Sequence, residues 1–277
     1  MNLRYGKAAV TFYRTDGQRG IFAAEVRLDA SGDNLLACYT EGDNSLIVAT
    51  DSMKNFIHAM ALEYRGASLE EFLAFLGGKF LATYPHTERI GLAARELPFT
   101  RERGSLFSRR HDEYTVADLT MDRTGILEHR CGLEALRLIK LTGSAFTGFI
   151  RDAYTTLPEM PDRPLLVHMN VYWRHRRFDD RVGSARVRDV VTEVFDGFVS
   201  QSIQHLVHEI GQRLLAQFPA IVEVAFEAEN HLWDAALAEP GAPTRVYTDP
   251  RPPYGVIGLT LTRQEGTSPR VGRSTTR

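Results

Sequence analysis

Between Leu141 and Arg163 the chain reads LTGSAFTGFIRDAYTTLPEMPDR, gathering aromatic rings, a threonine pair and a carboxylate–arginine couple where packing alone needs none of them. Such a segment reads as the wall of a ligand site. A planar polyamide anion asks for a bidentate cation, a primary amide that both donates and accepts, and an aromatic face to stack on. Arg163, Gln204 and Phe146 are those three residue types. Proton chemistry would rest on Lys7 and Thr50. A lysine desolvated on a strand loses proton affinity and acts as a base near neutral pH, and a hydroxyl beside it relays the proton. Each residue also has a plainer reading. Arg163 could pair with Asp162 or Glu159 at the surface, Phe146 could be core, Lys7 an exposed strand residue and Thr50 a β-branched filler before a helix. Only their joint occurrence favours chemistry.

The elements that must position these residues form one pattern written twice. Lys7–Arg14 and Ile21–Leu28 alternate polar and apolar side chains around the turn Thr15-Asp16-Gly17, which predicts a hairpin. A third apolar run, Ser45–Thr50, precedes a helical period through Phe56 and Met60 and again from Leu69 to Phe80. Ser68 with Glu71 predicts the capping box of the second helix, and Tyr84-Pro85 its end. Strands are expected at Arg89–Leu97 and Tyr114–Asp122, with the charged stretch Thr100–Asp112 as an exposed loop. The second half repeats the order: apolar runs at Leu133–Leu141 and Leu165–Trp173, helices around Val187–Phe195 and Ile203–Phe218, and strands at Ile221–Glu227 and Gly255–Thr262. The expected units are therefore residues 1–130 and 131–263, each ββααββ, followed by a tail, 264–277, without periodicity.

Composition excludes several classes. The 277 residues are 43% hydrophobic and carry a formal charge of −2, which suits a packed globular protein and argues against a phosphate-binding partner such as nucleic acid. Cys38 and Cys131 have no close-spaced companions, so neither a disulfide framework nor a thiolate zinc site is expected, and a reducing cytoplasm fits. No apolar run approaches the roughly 20 residues that span a bilayer. His205 and His208 lie one helical turn apart beside Glu209, but without a third ligand they read as a solvated helix face, so no metal is expected. The basic run Arg174–Arg177 is offset by Asp179 and Asp180 and reads as a loop or subunit contact.

Several segments carry a family resemblance. Tyr5-Gly6-Lys7, Asn44 to Asn55 (NSLIVATDSMKN), Tyr84-Pro85-His86, Phe146 to Arg163, Ser202-Ile203-Gln204 and Pro253-Tyr254-Gly255 resemble urate oxidase, in the family's order and over residues 5–263. The resemblance implies an α+β protein of two tandem tunnelling-fold repeats, antiparallel sheets with helices on one face, pairing into barrels and stacking into a homotetramer with active sites between subunits. It implies oxidation of urate by dioxygen and water to 5-hydroxyisourate and hydrogen peroxide, without cofactor. Arg163 and Gln204 would grip the pyrimidine edge, Phe146 would stack on it, and Leu157 and Ile203 would line the pocket. Lys7 and Thr50 would form a diad across the subunit interface, Thr50 and Asp51 coming from the neighbouring chain. Asn230 would face the oxygen or water site. The family's catalytic histidine follows that asparagine by two places, where this chain has Leu232; His231 follows Asn230 at once. With a one-residue bulge His231 would reach the diad; without one, alternation sends it to the other face of the strand. Two other readings stay open: a related tunnelling-fold enzyme acting on a pterin or another purine, and a non-catalytic purine-binding paralogue.

Overall fold

A computed structural model describes residues 3–17, 20–239, 241 and 244–263. The predicted tail at 264–277 lies outside the described residues. The strands are β1 (Arg4–Thr15), β2 (Ile21–Ser31), β3 (Arg89–Glu96), β4 (Phe99–Arg103), β5 (Leu106–Arg109), β6 (Tyr114–Asp122), β7 (Gly125–Lys140), β8 (Leu165–His175), β9 (Ile221–His231), β10 (Ala235–Ala238), β11 (Arg245–Tyr247) and β12 (Gly255–Thr262). The α-helices are α1 (Leu36–Thr40), α2 (Thr50–Glu63), α3 (Leu69–Thr83), α4 (Ser184–Gly197) and α5 (Ile203–Gln217). Eight strands form one antiparallel sheet in the order β1-β2-β3-β6-β7-β8-β9-β12. Strands β1, β2, β3 and β6 thus meet β7, β8, β9 and β12 through the β6–β7 ladder, the expected boundary at 130/131 falls inside β7, and β1 and β12 are the sheet's outer strands.

Alternation decides which face is covered. Val10, Phe12, Leu28 and Leu92 point into one apolar cluster with Phe72, Leu76 and Phe80 of α3. Val167, Val171, Val224 and Phe226 point into a second with Val187 of α4 and Ile210 and Leu214 of α5. Both helix pairs lie on the same face, because in each repeat the residues of one parity are apolar and those of the other are largely polar. Ser68 and Ser202 cap α3 and α5 alike, accepting from the backbone N–H of Glu71 at 3.3 Å and of His205 at 3.1 Å.

The repeats correspond residue by residue. α2 and α4 have 14 residues each, α3 and α5 have 15. β1 shifts register between Lys7 and Val10, and β7 shifts between Leu133 and Leu136, each around an alanine of positive φ: 55° at Ala9 and 60° at Ala135. Ladder partners then equate Lys7 with Leu133, Asn230 with Glu96 and Gly255 with Thr115. Helix positions equate Thr50 with Ser184 and Gln204 with Glu70.

One expectation needs correction, and one apolar run takes its place in the fold. Residues 100–112 hold the β4–β5 hairpin, because Phe99–Arg103 and Leu106–Arg109 pair around a positive-φ Gly104 (56°). The apolar run Ser45–Thr50 is a loop that enters α2: the Asp43 carboxylate accepts the Ser45 N–H at 2.9 Å, and the Val48 N–H donates to the Tyr5 hydroxyl at 2.8 Å. No helix among the described residues is long and apolar enough to cross a membrane.

Gly77 and Gly211 occupy equivalent places where helix meets sheet. A Cβ at Gly77 would sit 2.5 Å from Met121 Sδ, and one at Gly211 would sit 2.6 Å from Leu261 Cδ1. Gly77→Ala and Gly211→Ala are each expected to destabilise the chain by roughly 1–3 kcal/mol, read from denaturant midpoints, since overpacking outweighs the gain in helix propensity.

Candidate active site

The clamp is built by the β7–β8 loop folding onto the start of α5. The Ala145 N–H donates to the Ser200 carbonyl at 2.8 Å, and the Arg163 N–H donates to the Ser144 carbonyl at 2.8 Å. The loop closes on itself where Phe146 and Met160 exchange backbone hydrogen bonds of 2.7 and 3.0 Å. Asp162 holds the turn from inside: its carboxylate accepts the Thr142 hydroxyl and the N–H groups of Gly143 and Ser144. Those bonds, the Thr142 hydroxyl first, hold its carboxyl below the usual carboxylate range. Glu159 accepts the Gly148 N–H at 3.1 Å.

Both carboxylates that could have neutralised Arg163 are thereby occupied with backbone. Among the described residues Arg163 forms no ion pair, its Nε is buried without a hydrogen-bond partner, and burial lowers its proton affinity. Its guanidinium lies 5.5 Å from the centroid of Phe146, whose ring stacks on Phe149 at 4.9 Å and 12°. Ile203 is buried at the first position of α5 and Gln204 is exposed at the second. Leu157 is partly exposed in the same loop, at 37%.

Lys7 and Thr50, the predicted proton-transfer pair, lie at the β1 edge of the sheet. Lys7 is half-buried on β1 and shares a sheet face with Tyr5, which holds Val48 just ahead of α2. Thr50 and Asp51 open α2, both exposed, and the Lys7 charge is one of several that depress the Asp51 carboxyl, the Lys54 hydrogen bond being the largest. Lys7 and the α2 N-terminus therefore adjoin within one chain, which corrects the expectation that an interface divides them. The gap falls elsewhere. From β1 to β9, which carries Asn230, are six strand spacings, roughly 29 Å along the sheet at about 4.8 Å each.

Asn230 is half-buried and pairs with Val167 and Gly255 on the helix-covered face. The ladder from Leu166↔His231 to Trp173↔Val224 runs without a bulge, so His231 points to the opposite face from Asn230. The catalytic placement of His231 is thus overturned by strand alternation: its Nε2 meets Glu229 at 2.8 Å and its ring packs on Tyr254. Asp162 and Phe149 were missed as organisers of the clamp; the D-R pair and the F-T-G-F spacing were the available signals.

The model of the uricase family matches residues 3–128 and 129–258. The chain belongs to the uricase family. It is 33% identical to a uricase of Halalkalicoccus jeotgali, over 95% of this chain and 99% of that protein. It is 40% identical to the uric acid degradation bifunctional protein of Bacillus sp. TB-90 over 94% of its own length but only 60% of that protein's, so it spans under two thirds of such bifunctional relatives. The crystal structure of urate oxidase from Bacillus sp. TB-90 superposes with a TM-score of 0.87 at 39% identity, covering 94% of this chain and all of that one. The uricase of Arthrobacter globiformis gives 0.85 at 31%, covering 97% and 96%.

At the β6–β7 junction the positions of Gln204 and Asn230 are taken by Glu70 and Glu96. Burial, with the Glu70 charge beside it, raises the Glu96 carboxyl to about 7. A raised carboxyl stabilises the fold fully below its unfolded value near 4.5, and that contribution is lost as pH climbs to about 7. Glu96→Gln is expected to raise the thermal midpoint at pH 8 and leave it nearly unchanged at pH 5; an equal shift at both would count against a buried proton.

Proposed function

We propose that the chain is a urate oxidase whose active site forms between two copies, the clamp of one meeting the base pair of the next. The observation that carries this reading is the buried, unpartnered Nε of Arg163 beside the face of Phe146. A flat anion supplies the missing partner and the stack together.

The internal repeat supports the mode of assembly. Inside the chain β6 pairs with β7 so that Thr115 lies opposite Leu133, and the Thr115 hydroxyl donates to that of Ser184 at 3.2 Å. Carried over by residue equivalence, β12 of one copy pairs with β1 of the next, Gly255 meets Lys7, and the α2 N-terminus with Thr50 and Asp51 sits beside Asn230 and Gln204. The open edges are then closed into a barrel. Stacking of two barrels into a homotetramer follows the family resemblance, and the two unbonded thiols, Cys38 and Cys131, suit a reducing cytoplasm.

In that site Arg163 and Gln204 hold the pyrimidine edge, Phe146 stacks on the ring, Leu157 and Ile203 bound it, and the N–H groups at the start of α2 face the five-membered ring. Lys7, acting through Thr50, removes a proton. The electron-rich purine passes two electrons in all to dioxygen, which leaves with two protons as hydrogen peroxide. Water then adds across the oxidised ring, its hydroxide to carbon and its proton to a ring nitrogen, giving 5-hydroxyisourate. Asn230 orients dioxygen or water.

Loss of urate absorbance with parallel peroxide detection tests the reaction. Saturable binding without turnover would leave a binding module instead. Lys7→Met should abolish turnover, and Arg163→Ala should raise KM roughly tenfold to hundredfold, as for loss of a charged contact worth about 1.5–3 kcal/mol. Neither variant alone is active at low urate, but co-assembled Lys7→Met and Arg163→Ala chains should regain about a quarter of the sites, because one junction in a mixed pair holds neither change. No recovery in verified mixed assemblies would place base and clamp in one chain.

A further inference from the structure

Outside that site, three side chains converge on the helix-free face at the end of β9. His168 of β8 lies directly across the ladder from Glu229, and His231 stands two residues further along on the same face. Both rings address one oxygen: His231 Nε2 is 2.8 Å and His168 Nδ1 is 3.7 Å from Glu229 Oε2. The ring centroids are 4.0 Å apart, and a ligand atom from each of the three residues falls within 4.8 Å of the others. Donors around a tetrahedral ion at about 2.0–2.1 Å stand about 3.3 Å from one another, so small side-chain rotations bring this set to bonding distance.

The surroundings suit an ion more than an ion pair. The His231 side chain is 9% exposed under the ring of Tyr254, which packs on it at 4.8 Å, whereas His168 and Glu229 keep 32% and 38% exposure. Remaining coordination positions therefore open to solvent. Two imidazoles and one carboxylate are a donor set for zinc and its neighbours rather than for calcium or magnesium.

We propose that His168, Glu229 and His231 bind a divalent transition ion of the zinc type, which ties β9 to β8 at the strand end whose other face carries Asn230. The ion takes no part in oxygen chemistry. It fixes the backbone on both sides of Asn230, since Glu229 and His231 are that residue's neighbours.

The test uses the full, untagged chain stripped with a chelator and titrated with zinc chloride. One zinc per chain is expected, with a rise in thermal midpoint that grows with zinc concentration. His168→Ala, His231→Ala and Glu229→Gln should each weaken binding roughly tenfold or more, while His205→Ala with His208→Ala should not. Copper(II) substituted into the unaltered chain should show hyperfine coupling to two imidazole nitrogens. Absence of stoichiometric zinc, equal affinity in the three ligand variants, or a copper spectrum with no imidazole coupling would overturn the site.

Discussion

Along β1 and β12 the backbone N–H and C=O groups have a ladder partner on one side only, and the rest of the molecule follows from that. Exposed edges are commonly blunted by charge or proline. β12, GVIGLTLT, has neither, and Val256 stands 78% exposed. Such an edge is suited to being covered. The residues of the proposed site are divided along the sheet, Lys7 and the α2 N-terminus at the β1 border and Asn230 on β9, next to the β12 border. Closing the edges and completing the site become a single event in the proposed assembly, so folding of one copy alone leaves a base without a substrate and a clamp without a base.

The β6–β7 junction is the same joint made inside the chain, and its differences are informative. Leu133 replaces the lysine, Glu70 and Glu96 replace the two amides, and the short β1–β2 turn replaces the arginine-bearing loop. The Glu96 carboxyl, raised to about 7 by burial and by the Glu70 charge, has no lysine facing it; Glu70 lies beside Cys131, whose thiol is pushed far above its usual range mainly by burial. In the proposed assembly only the joint between copies carries the lysine and the two amides, whereas the joint inside the chain carries two carboxyl groups at the equivalent positions.

Periodicity made most of the fold legible. Ala117, Leu119 and Met121 in β6 and Ile257, Leu259 and Leu261 in β12 alternate with outward residues, and Ser68 announces its own helix by the cap that it makes. Local signals failed where a tertiary bond decides. Nothing in Ser45–Thr50 tells that the Tyr5 hydroxyl will catch Val48, and the charged Thr100–Asp112 stretch conceals a hairpin whose stability comes from its ladder. The residue types of the clamp were readable because they are costly to bury for packing alone. The separation of Lys7 from Asn230 was not, because spacing along a sequence says nothing about the five strands that lie between β1 and β9. The face of His231 hung on a bulge that no single residue marks.

Arg163 shows how the clamp stays ready. A guanidinium near two carboxylates would ordinarily collapse onto one of them, and the site would then have to break that pair to bind anything. Here Asp162 is saturated by Thr142, Gly143 and Ser144, and Glu159 by Gly148, so the loop geometry that positions the arginine also denies it an internal partner. The desolvation cost of that cation is met when the fold forms rather than when the ligand arrives. Phe149 supports this from behind by stacking on Phe146, so that one aromatic face and one charge are oriented in advance for the flat anion of the proposed function.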